Sequence, residues 1–91
     1  MADQRPLDRY RELISETWDV SRNLRFAANT RQLGLGDMTS VIFAEGRVVG
    51  YLEALHLLAP AMAAEAEPLT AELISDLADL KRAISERIGD G

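Results

Sequence analysis

The sequence predicts an all-α protein, a three-helix bundle arranged around one unusually apolar central helix. Three observations lead there. Apolar residues recur at three- and four-residue steps along most of the chain. No segment shows the alternation of a strand. Glycine and proline fall at two places that cut the chain into three segments, predicting helices at about 6–32, 37–59 and 68–88. The 91 residues make a single helical domain, 1–91. A domain this short buries under roughly 70% of its unfolded surface, so homodimerisation is a natural way to complete the bundle.

The first helix opens at Pro6, whose missing N–H is not needed in a first turn. Leu7, Tyr10, Leu13, Ile14, Thr17, Val20, Leu24 and Ala27 form its apolar stripe. Trp18 lies at the flank of that stripe, and Phe26 points away from its centre. The helix is expected to end at Leu33-Gly34-Leu35-Gly36, where glycine can adopt the left-handed conformation of a helix end.

Asp37 reads as the N-cap of the second helix, its carboxylate turned to the orphan N–H groups of the first turn. Pro60 blocks continuation past Ala59. Advancing 100° per residue places Met38, Val41, Ile42, Val48, Val49, Leu52 and Leu55 on one side. Phe43, Gly46, Gly50, Ala54 and Leu57 fall on another, and only a strip around Arg47 and Tyr51 is left for water. A helix apolar on two sides needs two partners. These are either the first and third helices, or one of them and a second copy of the chain. Each glycine costs roughly 1 kcal/mol against alanine inside a helix. Gly46-x-x-x-Gly50-x-x-x-Ala54 therefore suggests that another backbone comes close to this face.

The third helix is expected to start at Pro68 and end near Gly89, with a stripe of Leu73, Leu77, Leu80 and Ile84 flanked by Ile74 and Ile88. The spacing suits bundle packing and is too short for a free coiled coil.

Glu45 falls in the middle of the first apolar side, with His56 near it. Both are expected to be buried polar groups, and a lone buried carboxylate is costly. Arg22 and Arg25 are the candidate partners for Glu45. Glu53-Ala-Leu-His56 is a Glu-x-x-His pair, the spacing of di-iron carboxylate bundles. The metal alternative is a ferritin-like di-metal carboxylate protein, a metal-dependent oxidase or store assembled across a dimer. Glu45, Glu53 and His56 would be its ligands, with Glu12 or Glu16 added.

Other chemistry has less behind it. None of Ser15, Ser21, Ser40, Ser75 or Ser85 shows a histidine partner that would suggest a nucleophile. Cysteine is absent, so there is no disulfide framework and no thiolate metal site. The net charge of −5 argues against nucleic acid as a partner. The acid-free stretch carrying Arg22, Arg25 and Arg31 keeps a small nucleic-acid binder as a further alternative. The run from Val48 to Met62 is interrupted by Glu53, His56 and Pro60 and cannot span a membrane. The opening Met-Ala-Asp-Gln-Arg-Pro lacks the apolar core of a signal peptide, so a cytoplasmic location is expected.

The segment Ile42-Phe43-Ala44-Glu45-Gly46-Arg47 and the apolar helix that follows it, residues 42–57, resemble a motif of short all-α accessory proteins of tailed phages. In those proteins an aromatic residue and Glu-Gly-Arg or Glu-Gly-Gln open a helix. Glu45, Gly46 and Arg47 are the matching positions. The resemblance implies virion assembly or interaction with the host, without catalysis, in the host cytoplasm or the virion.

The function expected is therefore a non-catalytic protein–protein interaction module with no cofactor. Its partner is itself, as a homodimer or higher oligomer, or another protein. The interaction residues are Phe26, Phe43, Gly46, Gly50, Ala54 and Leu57.

Overall fold

A computed structural model describes residues 5–31 and 33–89, with side chains through Arg87. It shows three helices and no strand among the described residues: α1 at Arg5–Ala27, α2 at Leu35–Leu58 and α3 at Pro60–Gly89. Gln32 and the side chain of Ile88, both part of the expected helices, lie outside the described residues.

Helix α1 buries Leu7, Tyr10, Leu13, Ile14, Thr17 and Ser21. It stops at Ala27, well short of the glycines. The turn is closed by Asn29 N–H to Phe26 O (3.1 Å), Thr30 N–H to Ala27 O (3.0 Å) and Arg31 N–H to Ala27 O (2.8 Å). The Thr30 hydroxyl also donates to Ala27 O, at 3.1 Å. These bonds satisfy the last-turn carbonyls without a glycine. No described residue has a positive φ. The expected left-handed glycine is therefore not used here.

Two expectations about the ends of α2 and α3 are corrected. Asp37 is not the N-cap of α2. Gly34 holds that position in extended backbone (φ −133°, ψ −168°), and Asp37 sits three residues further on. Its Oδ2 accepts the Gly34 N–H at 2.8 Å. Helix α3 starts eight residues before Pro68. Pro60 takes its first turn and Pro68 lies inside it. A proline there cannot donate to the carbonyl four residues back. Pro68 and Ala64 are both exposed, so water can take the donor's place. The alanine-rich segment between the two prolines favours helix and carries it through.

The contacts set the topology. Tyr51 of α2 meets α1 at Tyr10 and Pro6, whereas Arg31, just past α1, meets Asp37 at the start of α2. These two helices are therefore antiparallel. Glu45 meets Lys81 and His56 meets Glu67, which makes α2 and α3 antiparallel as well. The core gathers Leu7, Tyr10 and Ile14 with Val41, Val48 and Leu55 and with Leu73, Leu77, Leu80 and Ile84.

Polar groups lock α1 to α3. The Tyr10 and Thr70 hydroxyls are 2.5 Å apart in the core. Burial pushes the Tyr10 phenol pKa upward, so the hydroxyl stays neutral. Ser21 Oγ donates to Asp76 Oδ2, and Arg25 reaches Asp76 Oδ1 at 2.8 Å and its backbone oxygen at 3.1 Å. Arg87 closes the far end on Ala28 O at 2.8 Å. Among the described residues no buried side-chain polar atom lacks a partner.

Candidate functional site

Helix α2 has one covered arc and one open one. Val41, Ala44, Val48 and Leu55 are buried. Met38, Tyr51 and Leu52 pack at the border of the core. Tyr51 was expected on a strip facing water, but it stacks on Tyr10 with ring centroids 5.4 Å apart, and its hydroxyl donates to Pro6 O at 3.3 Å. The rest of the circumference is open and carries large apolar residues beside the exposed Thr39, Ser40, Arg47 and Glu53. Phe43 is 68% exposed, Ile42 54%, Val49 40% and Leu57 85%. Gly46, Gly50 and Ala54 lie exposed among them.

Ile42 and Val49, expected on the large-residue side with Val41 and Val48, thus turn outward. The first and third helices cover one side of α2 and leave the other. A Cβ added at Gly46 or Gly50 would meet nothing within 4 Å. The close backbone approach that the glycines suggested is therefore not made within one chain. All six expected interaction residues are exposed, with Phe26 at 71%. Leu35 and Leu58 extend the open apolar surface at the two ends of α2. A cleft of about 760 Å³, lined in part by Pro6, Tyr51, Leu55 and Met62, adjoins its C-terminal end.

No protein family, curated protein or solved structure matches this chain.

The polar residues of α2 are arranged otherwise than the sequence suggested. Glu45 is half-buried and pairs with Lys81 of α3 at 2.9 Å. The expected partners are engaged elsewhere, Arg22 by Asp19 and Arg25 by Asp76. His56 is not buried. Its side chain is 46% exposed, and Nε2 lies 3.2 Å from Glu67 of α3. The helical spacing places Glu45 in the middle of the large-residue side with His56 near it, and α3 supplies the partner of each.

The alternative ligand set of Glu45, Glu53 and His56 is not assembled within one chain. Among the described residues no group of three or more His, Cys, Asp or Glu side chains could hold a metal ion. Glu45 is committed to Lys81, and Glu53 is exposed. The arginines of the nucleic-acid alternative are likewise engaged, since Arg31 pairs with Asp37 at 2.8 Å and the other two are paired as above. Among the described residues no helix is long and apolar enough to cross a membrane.

Sequence reasoning missed two groups. The Arg31–Asp37 pair ties the end of the α1 turn to the first turn of α2. It holds the Asp37 carboxyl at about 2, with the Gly34 N–H adding to the effect. Lys81 is the other. It is the only lysine among ten basic residues, and its i−4 and i−1 neighbours Leu77 and Leu80 place it at the edge of the α3 stripe. That position was the available signal.

Proposed function

We propose that this chain is a non-catalytic helical protein–protein interaction module that acts through the open face of α2. The observation that carries the reading is the unpartnered arc of Ile42, Phe43, Val49 and Leu57 around Gly46, Gly50 and Ala54. The buried core is built from other residues, and these side chains leave between 40% and 85% of their surface uncovered. Proteins that work alone seldom expose contiguous apolar patches larger than a few hundred Å². The likeness of residues 42–57 to phage accessory proteins points the same way, toward assembly or host interaction inside a cell.

Incorporation of a photoreactive side chain at position 43 or 57, followed by cross-linking in the native cell, tests the proposal. Position 72 on exposed α3 is the control. Discrete adducts from 43 and 57, and none from 72, are expected. No adduct from either site, or equal yield at 72, would contradict the reading.

A further inference from the structure

We infer that the occupant of the open α2 face is a second copy of the chain, paired antiparallel with its two-fold axis at Gly50. The inference rests on the interaction reading above and names its partner.

The first argument is area. Ile42, Phe43, Val49, Leu57 and Leu58 are each between 40% and 85% exposed. Together they present on the order of 650 Å² of apolar surface, most of what one partner contributes to a stable interface of standard size.

The second argument is shape. Crossed helices come closest at one point and diverge on either side of it. Small residues suit the crossing point and large ones suit the flanks. The α2 face has this distribution about Gly50. A two-fold there sets Gly50 against Gly50 of the second copy, Gly46 against Ala54 and Phe43 against Leu57. Space for that approach exists, because a Cβ at Gly46 or Gly50 meets nothing within 4 Å. One patch meeting itself is the isologous interface of a two-fold dimer.

The third argument is charge. Arg47 and Glu53 stand three residues to either side of Gly50, both exposed, with no hydrogen bond or ion pair among the described residues. Antiparallel pairing about Gly50 brings Glu53 level with Arg47 of the second copy, and does so twice. Parallel pairing would set Glu53 beside Glu53 and Arg47 beside Arg47. Opposite charges in register fix the orientation of such a pair, and like charges oppose the alternative.

Sedimentation equilibrium of the full chain tests this. A mass of twice the 10.0 kDa monomer is expected. Arg47→Glu and Glu53→Arg alone should each weaken the dimer at least tenfold on the scale of a lost charge pair. The double variant Arg47→Glu/Glu53→Arg should recover wild-type association. Circular dichroism should show unchanged helix content in all three, since both positions are exposed. A wild-type mass of 10.0 kDa at every concentration would overturn the inference. So would a double variant no tighter than the singles. Adducts from position 43 with a monomeric wild type would leave the interaction reading standing and remove only the second copy. Loss of both would remove both.

Discussion

Asp37 joins three parts of the chain. It accepts the Gly34 N–H at 2.8 Å, opening α2, and holds Arg31 of the preceding turn. The bonds to Arg31 and Gly34 lower its carboxyl pKa from 3.8 to about 2. A depressed folded pKa stabilises the fold above the unfolded value and loses that contribution as pH falls through the folded one. The Asp37 contribution is thus complete above about pH 4 and fades as pH falls toward 2. Thermal melts across this window should show the wild type losing stability faster than Asp37→Asn. Parallel curves for the two would contradict the role. The sequence marked Asp37 as a capping residue but not its register, because two glycines precede it and either neighbourhood could open a helix. The same limit applies to Glu45. Periodicity places a residue on a face, but its partner belongs to another helix whose register the pattern does not fix.

At the scale of the element, α2 is built from two kinds of surface that the sequence pattern alone does not separate. Val41, Val48 and Leu55 are buried, while Ile42, Phe43 and Leu57 are exposed, although all are equally apolar. An advance of 100° per residue gives two apolar sides but does not distinguish the covered one. Coverage depends on where α1 and α3 lie. Pro68 departs from the expected helix start for a related reason. A proline is a strong local signal for a helix start, yet here an alanine-rich stretch and an exposed position let α3 pass through it. The glycines give a test at this scale. Gly46→Ala and Gly50→Ala add a methyl group that touches nothing in one chain. Each should raise the stability of the monomer, by up to about 1 kcal/mol through helix propensity. If the face is paired at Gly50, the same substitutions should weaken self-association. Denaturant unfolding at low concentration and mass measurement at high concentration separate the two effects. Destabilisation by either alanine at low concentration would mean that the glycines serve the fold itself.

The whole molecule is an up-down-up arrangement of three helices whose interior is complete without one face of its middle helix. The all-α architecture and the three-way division were legible from Leu7 through Ile84, because a 3.6-residue rhythm needs no knowledge of tertiary contacts. The open face was legible only as an alternative, since a face that meets a neighbouring helix and a face that meets another chain have the same composition. The central claim is that this face is an interaction surface, and a cross-linking scan in the native cell is its most direct test. A photoreactive side chain is placed in turn at each position from 39 to 58. Adduct yield is expected to follow the turn of the helix, high at positions 42, 43, 46, 49, 50 and 57 and low at 41, 44, 48 and 55. Absence of adducts along the whole helix, or a yield without helical period, would contradict it.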